Sequence, residues 1–220
     1  MKKLIISFVV FLVAICSSNA QVFVGGSLGV GLSGGKDTYA GKSVDLPKST
    51  LFTLSPKVGY YVNDDFAIGL NVTFLSASEK SSKEYTGYAD DRKSSVLGWG
   101  IGGFARYNIL ELNKFSVLLE GSLGVSGAKS KVKQGSTTVD GDPTFTFAID
   151  VVPVLSYSLT EKWSIEASCD FLRLGFESVT EKDASDKKNK TTENSFGLLV
   201  NAGTNSIISD ILSVGLIFKF

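Results

Sequence analysis

From Val22 onward the apolar residues fall on alternate positions. In VFVGGSLGVGL, Val22, Val24, Leu28, Val30 and Leu32 share one parity, while Phe23, Gly25, Ser27, Gly29 and Gly31 share the other. A period of two marks a strand with two unlike faces. The pattern recurs along the chain. Residues 52–62 and 66–74 set Phe52, Tyr60, Leu70 and Phe74 against Ser55, Lys57, Gly59 and Gly69. Residues 97–107 oppose Trp99, Ile101 and Tyr107 to Gly98, Gly100, Gly102 and Arg106, and 115–125 oppose Leu119 and Leu123 to Ser116 and Glu120. In 145–157 Ile149 and Leu155 face away from Asp150 and Ser156, and in 163–171 Trp163 and Ile165 face away from Glu166 and Asp170. The last run, 212–220, sets Val214, Leu216 and Phe218 against Gly215 and Lys219.

Eight strands are predicted, most of ten or more residues. That is long against the usual five or six, and suits a tilted membrane crossing of about 9–11 residues. The connections alternate in length. Those at 63–65, 108–114 and 159–162 are short; those at 33–50, 75–94, 127–143 and about 175–195 are long, charged and rich in Ser and Thr. The stretch 196–210 reads as the descending arm of an extended hairpin above the membrane, kinked near Gly203 to Asn205, in preference to an additional strand pair.

The content of the two faces decides where water lies. One face is aliphatic and aromatic throughout; the other holds Gly, Ser, Thr and single charges. A soluble barrel would turn the greasy face inward and leave a Gly/Ser exterior, as a lipocalin-like carrier would require. Lipid outside and a narrow polar interior account for the glycines better. The expectation is therefore an all-β, eight-stranded antiparallel up-and-down transmembrane β-barrel with short periplasmic turns and long extracellular loops.

Composition refines this reading. Residues 1–20, MKKLIISFVVFLVAICSSNA, have the charged, apolar and small-residue parts of a cleaved secretory signal, leaving a barrel domain at 21–220. A lipoprotein signal acylated on Cys16 is the rival, disfavoured by the bulky Ile15 before it. After cleavage the chain keeps 20 of its 22 basic residues, losing Lys2 and Lys3, against 22 acidic, a net of −2 that does not suggest a nucleic-acid partner. Cys169 is left as a lone thiol, so no intramolecular disulfide is available. The segment GWGIGGFARY, residues 98–107, carries Gly98, Gly100 and Gly103 in the spacing of a dinucleotide-binding turn. Such a turn must open a helix, whereas here the strand alternation continues through Tyr107.

With these features the chain resembles the small outer-membrane β-barrel superfamily, the OmpA/OmpX-like, porin-like barrels of Gram-negative bacteria. The resemblance covers the whole segment 21–220 and rests on patterns, including the closing aromatic Phe220 of SVGLIFKF. It implies a location in the outer membrane, contact with outer-membrane lipids and lipopolysaccharide, and recognition of the C-terminal strand by the barrel-assembly machinery. The enzymes of that superfamily resemble one another in using an active-site histidine, and this chain has none.

Parity places Lys57, Arg106, Glu120, Asp150, Glu166, Asp170 and Lys219 inside the barrel. Isolated charges there would be desolvated at a cost of several kcal/mol, so partners are required. Arg106 is expected to meet Glu120 or Glu166, and Lys57 to meet Asp150 or Asp170. The reading is of a structural or surface-interaction barrel plugged by ion pairs, with a narrow passive pore as the alternative. No catalytic residues, metal site or cofactor are expected, a surface ligand would be met through the loops, and no further domain is expected after Phe220.

Overall fold

The computed structural model describes residues 21–39, 41–86, 90–168, 172–182, 189–200 and 213–220. Nearly all are strand. In chain order these are β1 (Val22–Ser33), β2 (Lys36–Tyr39), β3 (Lys42–Asp45), β4 (Lys48–Tyr61), β5 (Phe66–Ser81), a one-turn helix α1 (Lys83–Thr86), β6 (Arg92–Leu112) and β7 (Phe115–Gln134). There follow β8 (Thr137–Asp140), β9 (Thr144–Ser158), β10 (Trp163–Ser168), β11 (Leu172–Lys182), β12 (Lys190–Val200) and β13 (Ser213–Lys219).

Antiparallel pairing runs β1, β4, β5, β6, β7, β9 in order. One part of β9 pairs with β10 and another with β11, while β10 pairs with β13 and β11 with β12. β10 and β11 thus follow one another along β9, and β13 and β12 pair with them in turn. Pairing of β13 with β1, from Phe23↔Lys219 to Gly29↔Ser213, closes an eight-stranded barrel. Along this paired stretch closure leaves no strand edge for hydrocarbon to meet, while β12 is paired with β11 alone among the described residues.

The short turns are held by their own polar side chains. Asn63 accepts the N–H groups of Asp65 and Phe66 at 3.0 and 2.8 Å, and the Thr160 hydroxyl accepts those of Lys162 and Trp163 at 3.2 and 3.0 Å. Between β6 and β7 only Asn113 and Lys114 intervene, and Asn113 takes a left-handed φ of 54° that asparagine tolerates.

At the other end the strands outrun the apolar belt. β5 continues to Ser81 and β6 begins at Arg92, so both ends of the expected 75–94 loop, 75–81 and 92–94, are strand. Likewise β2 and β3 form a hairpin within 33–50, β8 folds back on β7 within 127–143, and β11 stays paired with β12 out to Lys182↔Lys190. The expected loop limits are corrected accordingly. Loss of apolar alternation marks where lipid stops, while the hydrogen-bonded ladder continues into water with polar residues on its outer face. β12 occupies 190–200 as the returning arm of that hairpin; the kink expected near 203–205 falls outside the described residues.

Alternation sets the faces. Outward lie Leu70, Trp99, Ile101, Tyr107 and Leu123, all exposed on the isolated chain. Inward, Phe23, Ala67, Phe104 and Ile217 pack into a small core near the short turns, with Tyr61 against it.

Candidate functional site

Four charges from four strands converge above that core. Arg106 on β6 is 2 % exposed and donates from Nη1 to Glu166 on β10 at 2.8 Å. Its Nη2 donates to Glu166 at 3.2 Å and to Glu120, its cross-strand neighbour on β7. Lys57 on β4 reaches Glu120 at 3.1 Å. The chain Lys57–Glu120–Arg106–Glu166 therefore spans the lumen with two charges of each sign. Rings pack against it: Phe23 and Phe104 lie 5.2 and 5.4 Å from the Arg106 guanidinium, and Phe104 lies 5.3 Å from the Lys57 ammonium. Burial at this depth is tolerable because each carboxylate has a cation and the guanidinium has two acceptors.

A second, more open cluster involves Asp150. Its carboxylate accepts the Ser122 hydroxyl at 2.9 Å and lies 3.4 Å from Arg173, which is 3.9 Å from Glu177. The expected partnership of Lys57 with Asp150 is thus replaced: Lys57 meets Glu120, and Arg173 takes Asp150. Asp170 lies outside the described residues. Lys219 faces the lumen over the Tyr61 ring at 5.0 Å.

Arg173 is missing from the expected lumen set because the parity rule breaks between β10 and β11. Ser168 stands opposite Val154 and Leu174 opposite Val151, so six steps on one crossing match three on β9. An odd excess moves the inward face from even to odd numbers. Arg173, Gly175 and Glu177 consequently join the inward face, where the alternation of 163–171, carried forward, would have turned Arg173 to lipid. The charge itself was the available signal, since an arginine on the lipid face is costly.

No group of three or more His, Cys, Asp or Glu placed to hold a metal occurs among the described residues. A closed antiparallel barrel with an apolar exterior, short turns at one end and a paired, charged interior defines the class of outer-membrane β-barrel proteins.

No protein-family model and no curated protein matches the chain. Among solved structures it is similar to Neisserial surface protein A (NspA), at 16 % identity and a TM-score of 0.37 over 92 % of this chain and 98 % of that one. It is similar also to Ail, the attachment invasion locus protein of Yersinia pestis, at 15 % identity and a TM-score of 0.42 over 91 % and 98 %. A third is the N-terminal β-barrel domain of Pseudomonas aeruginosa OprF, at 12 % identity and a TM-score of 0.33 over 91 % and 98 %. Likeness of this degree leaves the functional reading to the barrel's own geometry.

Proposed function

We propose that this chain is a structural, surface-presenting barrel whose lumen is plugged by the Lys57–Glu120–Arg106–Glu166 chain. The observation that carries the reading is Arg106, fully enclosed and bonded to carboxylates on two other strands. A conducting pore needs a continuous polar path, whereas here the charges are spent on one another and the gaps are filled by Phe23 and Phe104. Surface presentation is supported by the hairpins β2–β3, β7–β8 and β11–β12, which extend beyond the apolar belt with mostly polar residues. Chemistry on a substrate is not assigned, since the chain has no histidine for acid–base work near neutral pH and the most buried carboxylate among the described residues, Glu166, is held by Arg106. The strand ending at Phe220 is proposed to engage the assembly machinery, and the outward belt the membrane lipids.

Planar-bilayer recording of the refolded chain tests the plug. Native protein is expected to show no steady conductance. A steady native conductance that changes in Glu120→Gln would assign the lumen to a narrow pore instead.

A further inference from the structure

Four lysines stand in one cross-strand row on the outside of the barrel. Lys48 on β4 is opposite Lys80 on β5, Lys80 opposite Lys93 on β6, and Lys93 opposite Lys133 on β7. All four are exposed, and each shares the outward parity of the lipid-facing residues lower on its strand. Adjacent strands lie about 4.8 Å apart, well inside the Debye length of about 8 Å at physiological salt, so the repulsion is not screened away. Like charges placed directly opposite one another oppose pairing. Lys48 has a carboxylate at 3.0 Å, Asp45, but none is within 4 Å of Lys80, Lys93 or Lys133 among the described residues. Lys129 and Lys131 continue the same face of β7, the latter 3.5 Å from Asp140.

Height limits what can neutralise the row. From Phe52 to Lys48 and from Leu97 to Lys93 is four residues, and from Phe74 to Lys80 is six; only Ser and Thr stand between on the outward face. At a rise of about 3.4 Å per residue and a tilt near 45°, the Cα atoms of Lys48, Lys80 and Lys93 sit roughly 10–15 Å beyond the last apolar residue on their own strands. The headgroup layer of an ordinary phospholipid is only about 5–8 Å deep on each side. A cavity of about 590 Å³ opens at this level, bordered by the row together with Lys83 and Arg92, six cationic groups against Asp45, Asp90 and Asp91. Of these acids, Asp45 is bonded to Lys48 and Asp91 accepts the Lys83 backbone N–H at 2.9 Å.

We propose that this row is a binding site for phosphate groups carried on the sugar headgroup of an outer-leaflet glycolipid. Each phosphate presents several acceptor oxygens to the compact, freely turning ammonium groups, and the row repeats them at strand spacing. The assignment rests on the outer-membrane reading, since only a membrane seated on the belt brings such headgroups to this wall.

The test uses the full chain refolded in detergent micelles and titrated by calorimetry with three probes: a phosphorylated lipooligosaccharide, the same glycolipid stripped of phosphate, and a soluble sulfated polysaccharide. The native chain is expected to bind the phosphorylated glycolipid at least tenfold tighter than the stripped one. The triple variant Lys80→Ser, Lys93→Ser, Lys133→Ser should lose that preference, while Lys114→Ser with Lys162→Ser at the opposite end should keep it. Equal affinity for both glycolipids, or a preference surviving in the triple variant, overturns the site. Binding of the soluble polyanion as tightly as the glycolipid also overturns it, assigning the row to a soluble ligand. In plain phosphatidylcholine the triple variant should unfold at the same or a higher temperature, because three like-charged contacts are gone; a marked drop would make the row structural. Heat-modifiable gel migration separates the two levels of failure: its absence defeats the outer-membrane barrel itself, its presence without phosphate preference defeats only the lysine site.

Discussion

Gly59 and Gly69 leave sockets in the barrel wall that neighbouring strands fill. A methyl group on Gly69 would run into the Phe104 ring and the Val58 carbonyl, and one on Gly59 into the Phe23 ring. These two rings are the ones stacked on Arg106, so glycine on one strand positions an aromatic on the next and, through it, the central charge. Gly103 is different: it faces outward, and the nearest atom to an added methyl would be the Gly69 carbonyl oxygen at an ordinary 3.6 Å. Gly69→Ala is therefore expected to cost about 1–3 kcal/mol by overpacking, and Gly103→Ala no more than about 0.5 kcal/mol. Urea unfolding in phosphatidylcholine vesicles measures both, and equal losses would remove the socket account. Parity alone revealed which glycines point inward, but not what each one faces. In GWGIGGFARY the idea of a crowded lumen applies to Gly102, 2.8 Å by its missing methyl from the Leu123 carbonyl oxygen, while Gly98 and Gly100 have ordinary room.

Among the elements, the small hairpin β2–β3 shows how charge holds structure beyond the belt. Asp45 lies below its ordinary carboxyl value of 3.8 because Lys48 donates a hydrogen bond to it at 3.0 Å and adds its charge, with Lys36 helping from 3.9 Å. A carboxylate lowered in the folded state stabilises while pH exceeds its unfolded value, and the contribution disappears as pH falls through the folded value. The window here is below pH 3.8, and the effect is local because the group is partly exposed at the edge of a small hairpin. Hydrogen exchange should show protection of the hairpin amides, including Leu46 N–H bonded to Gly35, falling through that window in the native chain. In Asp45→Asn the protection should be lower and flat across it; an unchanged profile would dissociate the hairpin from this charge. Strand ends were poorly legible for a related reason. Alternation of apolar residues records contact with lipid, and β5, β6, β7 and β11 carry their ladders past that contact on residues such as Ser78, Ser94 and Thr180.

For the whole molecule, closure and an apolar exterior make the membrane part of the fold. Leu70 lies outward in the middle of the belt and is 62 % exposed on the isolated chain, whereas Thr50 lies outward just beyond Phe52. In a wall facing water both would accept arginine. In lipid, Leu70→Arg is expected to cost about 2–4 kcal/mol and Thr50→Arg about 0–1, read from urea unfolding in vesicles. Similar small values at the two sites would place this wall in water.

By itself the sequence determined the crossings, their faces and the short-turn end, because a period of two against lipid must be repeated at every crossing and so is written locally. Parity likewise groups charges on one face of each strand, since it needs no knowledge of neighbours. The tertiary structure decided the rest. Which acid meets Lys57 depends on which strands face each other across the lumen, and Arg173 turns inward only through an odd excess of residues that one strand cannot reveal. The lysine row belongs to the same category, because Lys48, Lys80, Lys93 and Lys133 become neighbours only when four strands are set in register.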